Sequence, residues 1–232
     1  MNTNIDNIIN EQSVQNSRAE YMSQVYSWMT GGLLTTSAVA YFTFSSGLVE
    51  QLGGMILILM FANLGFVWYI SSRIETMSKT AAIASFFTYA GLNGIVFSIF
   101  LAVYTADSIY STFLITSLSF GALSAYGRIT KKDLSGVGSF MFMGLVGIII
   151  ASVVNIFIQS SAFYTMISIL GVLIFAGLTA YDTQKIKDQY YDYAQQSGGD
   201  MASKMAILGA LTLYLDFINL FLFLLRLLGN RR

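Results

Sequence analysis

Apolar and polar positions divide the chain into seven long apolar runs, joined by six polar connections and preceded by a polar segment of 24 residues. The runs cover 25–46, 52–71, 81–104, 109–127, 136–158, 163–181 and 206–228. None shows the strict alternation of a half-buried strand, and each is far longer than a strand. About 20 residues of α-helix rise ~30 Å, the thickness of a bilayer's hydrocarbon core. The pattern therefore predicts an all-α membrane protein with seven transmembrane helices over 25–232, behind a polar N-terminal arm over 1–24. That arm is rich in Asn and has no apolar core, so it does not read as a cleavable signal peptide.

The connections differ in charge. Those at 47–51, 105–108 and 159–162 carry no Lys or Arg. The other three hold Arg73 and Lys79; Arg128, Lys131 and Lys132; and Lys185, Lys187 and Lys204. With Arg18 these make nine basic residues on one side and none in the opposite connections. Positive charge stays on the cytoplasmic side, so the N-terminus is expected to be cytoplasmic. An odd number of spans then leaves Arg226, Arg231 and Arg232 on the far side, against that rule. Seven complete spans are expected in preference to a last segment that re-enters the membrane.

Composition narrows the chemistry. Apolar residues make up 55% of the chain and charged residues 10%, against about 25% charged in soluble domains. Net charge is zero, which gives no reason to expect nucleic-acid binding. Cys, His and Pro are absent. There is thus no thiol nucleophile, no disulfide and no histidine to titrate or to bind zinc, and no span is kinked by proline. No nucleophile-and-base set and no phosphate-cradling loop is visible, so no enzyme and no tightly bound cofactor are expected.

One residue stands out against this background. Asp216 lies near the middle of the last run, where a carboxylate costs roughly 2.5–3.5 kcal/mol on insertion scales and needs a partner. If the last two runs form an antiparallel hairpin about the Gly198-Gly199-Asp200 turn signal, the residue at equal depth is Asp182. Two carboxyls a few Å apart in a poorly hydrated site cannot both ionise readily and tend to share a proton. The pair would be a pH-sensing, gating switch that works without histidine. Deprotonated, it could recruit Ca²⁺ with low affinity, since two carboxylates are too few for a dedicated site. Gly209, Thr212, Asp216 and Asn219 fall on one helical face, with Thr212 and Asn219 as supporting polar groups. Arg73, just past the second run, is either a positive-inside anchor or a latch that reaches the acids.

A weak repeat places Tyr69, Tyr126 and Tyr181 at the ends of the even-numbered runs, each before a basic connection. They read either as an interface belt or as three helical hairpins around a central seventh helix. Gly91, Gly94, Gly136, Gly138, Gly144 and Gly147 are candidates for close helix approach.

Four stretches carry a family resemblance: YMSQVYSWMTGGL, TKKDLSGVGSFMFMGLVGIIIASVVNIF, GLTAYDTQKIK and ALTLYLDFINLFLFLLRLLG. Together they resemble the Bax inhibitor-1 family, in its bacterial branch of small inner-membrane proteins. The resemblance implies a seven-helix fold with the last helix central, and a pH-sensitive calcium leak regulated by an aspartate pair. That pair falls on Asp182 in YDT and Asp216 in LDF, with the latching arginine falling on Arg73. It also implies an alternative role, as the regulator or binding partner of a membrane protease. The expected location is a bacterial inner membrane, multi-pass, with the lipid bilayer and Ca²⁺ as partners.

Overall fold

A computed structural model describes residues 2–196 and 198–232, with side chains described from 16 to 190 and from 201 onward. The elements are α1 (Asn2–Ser45), α2 (Leu48–Gln51), α3 (Met55–Arg73), α4 (Lys79–Val103), α5 (Ala106–Ile129), α6 (Ser135–Ile158), α7 (Ser161–Gln196) and α8 (Gly198–Leu228). Among the described residues six of them, α3 to α8, are long and apolar enough to cross a bilayer. The remaining expected span, 25–46, is the C-terminal half of α1. Thr30, Gly31, Gly32, Thr35, Thr36 and Ser37 dilute its apolarity; it packs along α4 and α8 on one side and exposes Leu34, Tyr41 and Phe42 on the other. The boundary expected at residue 24 is not a break in the backbone. α1 runs through it, and Tyr21 and Met22 are buried against the bundle.

The chain threads between two ends. At one end lie the basic connections, tied together by Lys204 Nζ donating to the Glu75 carbonyl (2.6 Å) and Lys187 Nζ donating to that of Arg128 (3.1 Å). At the other end the C-terminal residues dock on the α4–α5 connection. Thr105 N–H donates to the Asn230 carbonyl (3.1 Å), and Arg232 N–H to that of Val103 (2.9 Å). α8 therefore runs from one end to the other and does not turn back. Its three terminal arginines find aromatic faces: Arg226 over Tyr164 at 5.7 Å, Arg231 over Tyr104 at 5.9 Å and Arg232 over Phe44 at 5.8 Å. Such stacking holds a guanidinium at the far end without an acidic partner.

α8 is the core of the bundle. Its apolar window is 67% buried, against 6–39% for the other five apolar helices, and it packs against α1, α4, α5 and α7. Tyr214, fully buried on α8, meets Phe86 and Tyr89 of α4 edge-on at 6.0 Å and shares a 2.7 Å hydrogen bond with Thr36 of α1. Thr36 in turn donates to the Ala90 carbonyl at 2.9 Å, so one buried polar chain joins three helices. The outer surface is the reverse: Trp68 is 74% and Phe157 82% exposed, as suits side chains facing lipid.

The expected three-hairpin scheme needs correction. Only α6 and α7 pack as successive partners within it; α1 packs on α4 and α5 on α7. In a bundle whose polar connections lie outside the core, short links bring helix ends together but do not oblige neighbours in sequence to share a long interface. Close approach is also redistributed among the glycines. Gly94 lies against the Thr36 carbonyl and Val39, Gly138 against the Tyr181 ring and Gly144 against Ile174, whereas Gly91, Gly136 and Gly147 face open space. Gly127, which the pattern does not single out, sits directly on the backbone of Ala180 and allows α5 to touch α7.

Candidate functional site: an acidic pair between two helices

The apolar run expected to end at Tyr181 continues as helix to Gln196, so Asp182 lies inside α7 and not at a solvated helix end. α8 starts at Gly198, so Gly199 and Asp200 already belong to the last helix. α7 and α8 are antiparallel. Gly171 lies against Phe223, Asp182 against Asp216, and Ile186 against Gly209. Asp182 lies 14 residues before the end of α7 and Asp216 18 residues after the start of α8, and the two side chains nevertheless face each other closely enough to interact.

Asp216 is 4% exposed, and Asp182 is half-buried. Asp216 Oδ2 is sealed from solvent and has no hydrogen-bond partner among the described residues. Two carboxylates offer only acceptors, so a hydrogen bond between them exists only when one carries a proton. A buried acceptor left unmatched costs about 1–3 kcal/mol, and more when charged. A shared proton is the simplest way to satisfy the pair.

Two cavities meet at the acids. The larger, about 1080 Å³, is a cleft between α3 and α6 floored by α7 and α8. The smaller, about 180 Å³, lies towards the basic end and is lined by Tyr21, Gln189 and Met205 among others. Asp182, Lys185 and Thr212 border both, while Asp216 and Asn219 border the larger. Thr212 Oγ1 donates to the Leu208 carbonyl (3.1 Å) and Asn219 Nδ2 to that of Leu215 (2.8 Å). The Thr212 hydroxyl proton and one of the two Asn219 N–H groups are used on their own helix, so each residue still has an acceptor oxygen to offer the cavity. Of the expected polar stripe of α8, Gly209 and Asp216 are buried, while Thr212 and Asn219 are half-buried and border the cleft. Among the described residues no group of three or more acidic, His or Cys side chains gathers to hold a metal ion.

Arg73 is not brought to the pair. It is exposed at the end of α3, where its carbonyl accepts from Thr76 and Met77, and the charged neighbour of Asp182 is Lys185, one turn along α7. The latch is thus not formed in this structure.

The residues around Asp182 do more than their place in the sequence indicates. Ala180 lies against Gly127 of α5, and the Tyr181 ring against Gly138 of α6. Thr183 shares a 2.9 Å hydrogen bond with Ser124, which shares one of 2.6 Å with Tyr26 of α1. Gln184 Oε1 accepts from Leu134 N–H (2.9 Å), and its Nε2 donates to the Lys132 carbonyl (2.8 Å), clasping the α5–α6 connection. Beside that clasp the Asp133 carboxylate accepts from Ser135 N–H at 2.8 Å, and the Ser135 hydroxyl and N–H hold its pKa below the usual carboxylate value. The available signal is the unbroken polar run Asp182-Thr183-Gln184 inside a helix too long to end at Tyr181.

Residues 18–232 match a family model described as "Inhibitor of apoptosis-promoting Bax1". The chain is 47% identical over 216 residues to "Inner membrane protein YbhL" of Escherichia coli, covering 91% of this chain and 92% of that one. It is 46% identical to an uncharacterized protein of Rickettsia prowazekii (91% and 90% covered) and 34% identical to an uncharacterized membrane protein of Streptococcus pyogenes (91% and 93% covered). A match over nearly the whole chain gives the assignment: the chain belongs to the Bax inhibitor-1 family of membrane proteins.

Proposed function

We propose that this protein is a passive, pH-sensitive leak for a small cation, with Ca²⁺ as the permeant ion, gated by the proton held between Asp182 and Asp216. In this reading it sits in a bacterial inner membrane with seven spans and a cytoplasmic N-terminus, as the distribution of basic connections favours. The observation that carries the reading is the sealed Oδ2 of Asp216, beside a second acid at the meeting point of two cavities. With one proton the pair is a hydrogen-bonded clasp between α7 and α8. Without it two negative groups lie side by side in a poorly hydrated place and repel. Two responses relieve that repulsion: the helices part, or a cation enters. A hard divalent ion takes about six to eight oxygens. Two carboxylates, the Thr212 and Asn219 oxygens and water form a weak set, suited to passage rather than storage.

The test is flux into liposomes holding a trapped calcium dye, measured across pH for the native chain and for Asp216→Asn. The amide keeps the shape and a permanent donor, so the variant is expected to lose its pH dependence. A variant that follows the native pH profile refutes the mechanism.

A further inference from the structure

Three cavities converge at one side chain. The 1080 Å³ cleft, the 180 Å³ cavity at the basic end and a third of about 230 Å³ share only Lys185 among their lining residues. The third is bordered by Asp133 and Asp188, both exposed, so it is the mouth through which a cation in bulk water would approach from the basic end. The Lys185 ammonium lies 5.8 Å from the centre of the Tyr181 ring, one turn from Asp182. The other titratable groups bordering these cavities are Tyr21 from α1, Tyr89 from α4, Asp133 from the α5–α6 connection, Asp188 from α7 and Asp216 from α8. Lys187 is not among them; its ammonium is turned to Asp188 at 3.6 Å and to the Arg128 carbonyl. Among the described residues, Lys185 is therefore the cation set between the surface acids and the buried acids.

We propose that Lys185 is a tethered cation that guards the passage from the basic end to the acidic pair, repelling free cations and admitting anions and neutral species. This rests on the reading of the pair as a cation site. A lysine suits such a guard, because a compact charge on a flexible four-carbon stem reaches any of the three cavities without a rigid partner. Its influence on an approaching ion acts over several Å in a partly wet setting and is screened by salt.

Because the chain has no cysteine, a single introduced thiol reports access. Thr212 borders both inner cavities and bonds only within its own helix, so Thr212→Cys is the reporter. The full chain is reconstituted in vesicles and treated with a cationic thiol reagent, ethylammonium methanethiosulfonate, or its anionic ethylsulfonate counterpart. Adding Lys185→Gln is expected to speed the cationic reagent about three- to tenfold at 0.15 M salt, and to slow or leave unchanged the anionic one. Lys185→Arg should keep native rates, and 1 M salt should shrink the effect. Equal changes for both reagents would mean that the side chain is only an obstacle; equal rates in both backgrounds, or no reaction in either, also overturn the proposal. Leu208→Cys, on the small cavity, serves if Thr212→Cys does not fold. Calcium flux, measured in separate vesicles with chains that keep Thr212 and differ only at Lys185 or Asp216, separates the two ideas. Charge-selective access without flux in any variant sinks the leak but keeps the guard. Flux that loses its pH dependence in Asp216→Asn, with thiol rates indifferent to Lys185, does the opposite.

Discussion

Replacing Gly127 by alanine probes whether α5 really rests on the backbone of α7 just below Asp182. A Cβ at this position would fall on the Ala180 carbonyl oxygen and within 3.0 and 3.1 Å of its carbonyl carbon and Cα. These atoms are backbone, so no rotamer change relieves the clash, and the helices must separate by a few tenths of an ångström or more. One turn away, the 2.9 Å bond between Ser124 and Thr183 would be stretched by the same motion. Overpacking of this kind costs about 1–3 kcal/mol, and weakening a buried hydrogen bond adds roughly 1 kcal/mol. Against this, alanine gains up to ~1 kcal/mol of helix propensity over glycine. The net expectation is a loss of about 2 kcal/mol, or roughly 4–8 °C in Tm by soluble-protein scaling for a chain of this size. Gly147→Ala is the control, since nothing lies within 4 Å of a Cβ there, and it should hold or raise Tm. Thermal unfolding in detergent, followed by the fluorescence of Trp28 and Trp68, measures both. If the two variants melt together, the α5–α7 contact does not have the form described.

Three further outcomes follow from single contacts. Gln184→Ala leaves the Leu134 N–H and the Lys132 carbonyl without their partner, so amide exchange at Leu134 should quicken and stability fall by about 1–3 kcal/mol. Tyr214→Phe removes only the hydroxyl bonded to Thr36 and should cost about 1 kcal/mol, measurable as a drop of a few degrees in Tm with the helix content unchanged in circular dichroism. Asp133, whose pKa folding depresses, contributes stability that is fully present above the unfolded carboxylate value near 4 and is lost as pH falls through the lower folded value. Asp133→Asn should therefore flatten the acid limb of a Tm-against-pH curve by lowering Tm at neutral pH while leaving strongly acid pH nearly unchanged; an identical acid limb refutes the assignment.

How much of this is legible in the sequence depends on which constraint is at work. The Asp182–Asp216 pairing can be read because antiparallel helices joined by a short link match depth to within about a turn, and because an acid in the middle of an apolar run demands a partner. The central place of α8 is legible from its one-sided polar stripe. The neighbours of the other helices are not: the chain can join α4 to α5 by a short link while α4 packs on α1, and hydropathy records only that each helix is apolar. Arg73 reads as a latch because it follows a span end, but an exposed helix terminus can aim a long side chain anywhere. Lys185 reads as one basic residue among several, since no pattern along the chain reveals that three cavities meet around it.

The pentapeptide Ala180-Tyr181-Asp182-Thr183-Gln184 has a physical logic beyond its acid. At 3.6 residues per turn, five successive residues go right round a helix. They meet α5 through Ala180 and Thr183, α6 through Tyr181, α8 through Asp182 and the α5–α6 connection through Gln184. α7 is thus gripped on all sides at the level of the acid, and its rotation about its own axis is fixed there. On α8 the Tyr214–Thr36 bond and the seating of Gly209 against Ile186 do the same for Asp216. This matters because two acids do not hold each other in place by charge: ionised they repel, and sharing a proton gives them one hydrogen bond. Their proximity is imposed by the packing around them, so the energy needed to part them is set by how firmly α7 and α8 are held as well as by pH. A neighbour such as Gly127, which touches α7 at Ala180 beside Asp182, thereby bears on the pair and, in the proposed reading, on the gate.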